Sequence, residues 1–324
     1  IAVSIAILVF GLILLVLTPK AEKEEKFHMD TKYQLFLLLL PFLALCFAFA
    51  YLPLLGWRYA FFDYKSGETL TRDNFVGFKW FAYLFQNQAT RQDLIRVLRN
   101  TLAMSGLGLA TSWCAMAFAI FLCEIKNLRF RRIVQTFTTI PNFISWVLVY
   151  AVAFAIFSTD GFVSSLLVNN GILDSGVNFL MDNSHMWLKM LAWGMWKGLG
   201  WSAIIYIAAI SGIDQQLYEA AEIDGANKIQ TLFKVTIPMM MPSITICMFL
   251  SITNGFKLFD QNLSLTAGEP SKMSEMMALN IFNTFYGRTG WEGVGQAKAV
   301  IFFAIVVVIG MIQLRATRSK EVQQ

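Results

Sequence analysis

The apolar residues of this chain fall into runs long enough to cross a bilayer, among them Ile1–Thr18, Leu35–Leu55 and Ala299–Leu314. A hydrocarbon core ~30 Å thick requires ~20 such residues in a helix. Only a helix or a closed barrel pairs every backbone amide inside that layer, and these runs lack the alternation of barrel strands. Composition agrees: 56% of residues are hydrophobic and 15% charged, whereas roughly a quarter are charged in soluble domains. The fold class is therefore all-α, a polytopic membrane helix bundle. About seven transmembrane helices are expected, near residues 1–18, 33–55, 101–123, 140–158, 190–213, 242–259 and 299–314.

The first run lacks a basic leader and a convincing small-residue cleavage site, so it reads as an anchor helix rather than a signal peptide. Basic residues gather in short segments between spans: Arg129, Arg131 and Arg132 in 128–139, and Arg315, Arg318 and Lys320 in the tail. With the linker carrying Lys20, Lys23, Lys26 and Lys32, and with 214–241, these segments are expected on the cytoplasmic side. Segments 56–100, 159–189 and 260–298 then form external caps, mixing aromatic residues with Gly, Asn and Asp. The net charge of +5 fits such an orientation signal better than nucleic-acid binding. Cys46, Cys114, Cys123 and Cys247 all fall in or beside apolar runs, with neither disulfide nor zinc spacing. His28 and His185 stand alone, and no metal set is expected.

One polar segment differs from the others: Glu219-Ala-Ala-Glu-Ile-Asp224-Gly225-Ala226, continuing to Val235-Thr-Ile237-Pro238. Its Ala- and Glu-rich first half favours a helix, and Gly225 is where that helix should end and turn. A second short helix through 228–235 is stopped by Pro238 and Pro242. The product is a helix–turn–helix elbow on the cytoplasmic face.

At these residues the sequence resembles the EAA loop of binding-protein-dependent ABC importers. The matching positions are Glu219, Ala220, Ala221, Asp224, Gly225, Ala226, Val235 and Pro238, with Leu232 where Phe is common and Ile237 where Leu is common. Further upstream, Trp196-Lys-Gly-Leu-Gly-Trp201 and Ile204–Asp214 look like the carbohydrate branch, and Ile140-Pro-Asn-Phe-Ile-Ser-Trp146 like permeases for alginate- or pectin-type oligosaccharides. Phe256-Lys-Leu-Phe-Asp260 leans towards maltose and glycerol-phosphate importers.

The resemblance implies 1–32 as anchor helix and cytoplasmic linker, 33–100 as second span and external segment, 101–318 as the type I importer core, and 319–324 as tail. It implies a coupling role for Glu219, Ala220, Ala221, Asp224, Gly225, Ala226, Leu232 and Pro238. The implied partners are a second, homologous permease, two cytoplasmic ATPase subunits, an external solute-binding protein, an oligosaccharide and the lipid bilayer. The chain has no Gly-x-x-x-x-Gly-Lys-Ser/Thr phosphate loop, so no cofactor of its own is expected. ATP and Mg would sit in the partner ATPases.

Polar groups inside spans are costly, about 2.5–3.5 kcal/mol for Lys or Asp at mid-helix, and so point to a pathway. Asn254, Lys257, Asp260 and Gln261 on the sixth span form one such set, with Lys257 and Asp260 expected either to neutralise each other or to snorkel at the outer membrane edge. Trp193, Trp196 and Tyr150 form an aromatic set suited to sugar faces or to helix packing. The competing readings are a polyol or glycerol-phosphate permease, an intramembrane enzyme and a membrane scaffold. An enzyme would need paired acids, a His/Glu metal set or a Ser/His pair within the spans. A scaffold would leave the Glu219–Ala226 segment without a use.

Overall fold

A computed structural model describes residues 30–65, 67–287 and 291–318; the anchor helix expected at 1–18 lies outside them, as does the tail at 319–324. The described residues form two compact units divided after Gly56. In the first, α1 (Thr31–Cys46) is apolar on every side and buries no residue. A helix hydrophobic all round, with no protein core to enter, is matched to lipid or to another chain.

The second unit holds the remaining elements. Asn87 caps α3 (Gln88–Ala110), which follows α2 (Lys79–Gln86), by accepting from Ala89 N and Thr90 N at 3.0 and 3.2 Å. After a break at Thr111 comes α4 (Ser112–Glu124), then α5 (Leu128–Thr139), α6 (Trp146–Phe157), α7 (Phe162–Asn169) and the long α8 (Met186–Ser211). The elbow follows as α9 (Gln215–Ile223) and α10 (Lys228–Thr231). The last elements are α11 (Met241–Phe256), α12 (Asp260–Thr266), α13 (Met277–Gly287) and α14 (Glu292–Arg318).

The bundle centres on α8, against which α4 and α5 pack, while α3 packs on α11. Small residues let these helices approach: Ala115, Ala119 and Ala203 are buried together with Tyr206 and Met240. Lipid supplies no hydrophobic force between helices, so close contact of this kind is what holds them. A second core of Met104, Val149, Ala153, Met186, Met190 and Leu265 joins α3, α6, α8 and α12.

Among the described residues, four helical stretches are long and apolar enough to cross a membrane: Thr31–Phe61, Gln88–Glu124, Trp146–Asn169 and Glu292–Arg315. Met186–Ser211 with Gln215–Ile223, and Lys228–Met239 with Met241–Phe256, raise this to six if each pair, bent by 67°, is one span. Two expected boundaries are corrected. Residues 128–139, read as an inner loop because of their arginines, form a helix lying along α8. The expected span 140–158 starts instead as a single 3-10 turn, Ile140–Phe143, and only then becomes α6.

Candidate coupling elbow and pathway

The elbow is fastened at both ends of its corner. Asp214 starts α9 by accepting from Gln216 N at 2.9 Å. At the far end, Gly225 N reaches Glu222 O at 3.0 Å and Ala226 N reaches Ala221 O at 2.9 Å. Those are the two bonds of a Schellman closure, which needs a left-handed residue after the cap. Gly225 supplies it with φ of 74°. Two residues on, Asn227 and Gln230 form a reciprocal capping box, each backbone N–H meeting the other side chain at 2.8 and 2.9 Å. The second arm continues through a π turn, Leu232–Thr236, and a short helix, Ile237–Met239, with Pro238 in its first turn.

The arms are also tied to each other and to the bundle. Tyr218 Oη lies 3.2 Å from Thr236 Oγ1, and Lys228 Nζ lies 3.1 Å from Glu124. Between them is a cavity of about 770 Å³, whose lining includes Arg131, Tyr218, Glu222, Ala226, Lys228 and Leu232. Ala221, Ala226 and Leu232 are half-buried, while Glu219, Ala220, Asp224, Gly225 and Pro238 are exposed. Glu219 takes no part in the caps, which fall to Asp214 and Asn227. The outer surface carries Ile223, Ile229 and Phe233, exposed by 86%, 68% and 63%.

A second cavity, of about 310 Å³, runs between α3, α4, α8 and α11. Asn254 and Gln261 line it, with Trp201, Tyr206, Ser202 and Ser251. Gln261 is buried and its amide donates to Met190 O, so its other face, beside Gly194, is what the cavity meets. Lys257 and Asp260 do not share a helix: Lys257 follows the last residue of α11, and Asp260 opens α12. Both are exposed, and they form no ion pair among the described residues. The helix break at 257–259 separates them, and the expected mutual neutralisation does not form. Trp193 stacks edge-on to Phe157 and Trp196, with ring centroids 6.0 and 5.7 Å away, and Tyr150 leans on Phe154 at 5.9 Å. Trp193 and Tyr150 pack against the second core, Trp196 is exposed, and none of the three lines the cavity.

Sequence reasoning missed two polar assemblies. The first joins α3 to α13 and α14. Lys298 Nζ, 4% exposed at its side chain, meets Asp93 at 3.0 Å, Asn280 Oδ1 at 2.7 Å and Thr284 Oγ1 at 3.3 Å. Arg96 bridges Asp93 and Glu275, the latter at 2.7 Å. Asp93 and Arg96 are three apart on α3, but Glu275 and Lys298 lie far along the chain, so no local pattern announces the cluster. The second is Lys197, whose Nζ donates to Pro141 O at 3.1 Å and Asn142 O at 2.8 Å. Pro141 is the one local sign that a helix stops there.

Comparison with known proteins agrees with this architecture. Residues 98–319 match the family described as binding-protein-dependent transport system inner membrane component. Protein LplB of Bacillus subtilis (strain 168) is 32% identical over 287 residues, covering 85% of this chain and 86% of LplB. The polygalacturonan/rhamnogalacturonan transport system permease protein YteP of the same organism is 30% identical over 301 residues, with 89% and 91% covered. A chain in the crystal structure of a bacterial alginate ABC transporter, in complex with an alginate pentasaccharide-bound periplasmic protein, is 25% identical. It superposes with a TM-score of 0.76, covering 91% of this chain and 98% of that one. The chain therefore belongs to the binding-protein-dependent transport system inner membrane components, the multi-pass permeases of ABC importers.

Proposed function

We propose that this chain imports oligosaccharides, of the kind released from polysaccharides, as one of two permease subunits driven by two cytoplasmic ATPases and fed by an external binding protein. The substrate class is supported by YteP, which carries polygalacturonan/rhamnogalacturonan transport in its name, and by the alginate-linked structural neighbour. The observation that carries the coupling role is the elbow, a doubly capped corner that holds Ile223, Ile229 and Phe233 out in the open. Exposed apolar side chains on a rigid, otherwise polar projection are the usual mark of a protein docking site. ATP and Mg belong to the ATPases, which supply the hydrolysis.

In this reading, closure of the ATPases moves the elbow, and α8, which leads into it, tilts with it. Small displacements at such a joint become pathway opening when the helices move as rigid bodies. The cavity lined by Asn254, Gln261, Ser202 and Ser251 offers hydroxyl- and amide-type partners for sugar hydroxyls. The test is Gly225→Asp and Glu219→Lys in the reconstituted complex. Both variants should insert and still dock loaded binding protein, yet lose sugar-stimulated hydrolysis together with uptake. Near-normal stimulation and uptake in both would sink the coupling role.

A further inference from the structure

A span that breaks inside a membrane exposes carbonyls that no water can reach, and such backbone persists only where protein satisfies it. The break between α5 and α6 likewise frees carbonyls that protein groups must meet. The helix stops at Thr139, the chain passes through Ile140–Phe143, and Ser145 restarts it by accepting from Leu148 N at 3.4 Å. Lys197, at the centre of α8, satisfies the freed Pro141 and Asn142 carbonyls. Its ammonium also lies 5.4 Å from the centre of the Trp146 ring. A cation at the carbonyl end of a helix is favourable in its own right.

A second contact lies one turn along α8. Gly200 is buried against α5, and a β-carbon there would overlap the backbone of Thr138 and Thr139. A third is the edge-on pair Phe143–Trp201, with centroids 5.8 Å apart, and Trp201 also lines the pathway cavity. The broken segment is thus fixed to α8 by a cation, a backbone-to-backbone seat and a ring pair.

We propose that Lys197 is a positioning residue that makes α5 and α6, joined at the Ile140–Phe143 turn, travel with α8, so that motion entering at the elbow moves them together with the pathway wall at Trp201. The inference rests on the elbow being the coupling element. Without the ammonium, Asn142 O loses this donor and Pro141 O keeps only Ile144 N, which leaves the turn held to α8 by the Gly200 seat and the Phe143–Trp201 pair alone. Hydrolysis and transport would then part company, because the elbow still moves α8 while α5 and α6 follow it less closely.

The experiment uses the complete importer, with its partner permease, ATPases and binding protein, in liposomes. Uptake of radiolabelled trigalacturonate and maltotriose is measured alongside ATP hydrolysis. Lys197→Met should keep stimulated hydrolysis while uptake per ATP falls about tenfold, the scale of a lost charge-assisted hydrogen bond. Lys197→Arg, which retains charge and donors, should recover most of that ratio. An unchanged ratio in Lys197→Met overturns the proposal. Independently, Phe143→Cys with Trp201→Cys, in a chain whose native cysteines are replaced by serine, is bridged by a short bis-maleimide. Bridging should be equal in the resting and vanadate-trapped states, and its loss on trapping overturns the proposal even if Lys197→Met fails to assemble. A wild-type importer in which neither sugar stimulates hydrolysis would count against the substrate reading alone, since the bridging result stands without sugar.

Discussion

Replacing Lys298 by Met removes the base at the centre of the cluster that joins α3 to α13 and α14. Asp93 would keep Arg96 and the Asn280 amide but lose the 3.0 Å ammonium, while Asn280 Oδ1 and Thr284 Oγ1 would lose their donor. Removing one partner of a buried pair costs about 3–5 kcal/mol, because the charge left behind is uncompensated; Asp93 is itself 27% exposed. Arg96 remains beside Asp93, so the lower end, about 3 kcal/mol, is the expected loss. Lys298→Met with Asp93→Leu removes both members and leaves Arg96 to Glu275, at 2.7 Å. The double variant should therefore be less destabilised than the sum of the singles, by about 2 kcal/mol or more. The assay is a double-mutant cycle on the purified permease complex, using unfolding midpoints at fixed detergent and scan rate. Strictly additive losses, or a Lys298→Met protein as stable as wild type, would refute the idea that these groups act as one paired unit.

Four further outcomes follow from particular residues. Gly225→Ala meets nothing within 4 Å but sits at φ of 74°, so it should cost the elbow about 1 kcal/mol and lower ATPase co-purification without blocking insertion. Asn227→Ala loses the capping box and about 1 kcal/mol of local helix stability, visible as faster amide exchange over 228–231. Gly200→Leu should force α5 away from α8 and lower the unfolding midpoint by more than Gly198→Leu, since Gly198 has open space beside it. Lys257→Met and Asp260→Asn should give additive effects on uptake, because no ion pair joins these side chains; strong coupling between them would contradict the break at 257–259.

Legibility from sequence followed the range of the interaction. The corner at Gly225 was readable because its causes lie within a few residues: an Ala- and Glu-rich helix, a residue free to take the left-handed conformation, and a proline downstream. The spans were readable because apolar length is a local quantity. The extent of α5 was hidden by its own arginines, which place its first turns among the positive-inside signals although the helix continues along α8 to Thr139. Lys257 and Asp260 were assigned to one helix because their spacing fits one, and nothing local marked the end of α11 at Phe256. The Asp93–Lys298 and Lys197–Asn142 contacts link residues far apart in sequence. Each of those residues taken alone looks like an ordinary charge near a membrane.

The two caps at the elbow bear on how the importer is assembled. The bonds at Gly225, Ala226, Asn227 and Gln230 are all short-range, so the corner takes its shape during folding of this chain and does not wait for an ATPase. In the coupling role proposed above, an ATPase subunit would meet a joint already set, and little conformational entropy would remain to be lost on contact. Encounter can then be fast, with residence time set by the outward side chains Ile223, Ile229 and Phe233. Those three take no part in the caps, so they are free to change from one importer to another. A permease lineage can in this way exchange its ATPase while keeping the geometry through which force enters.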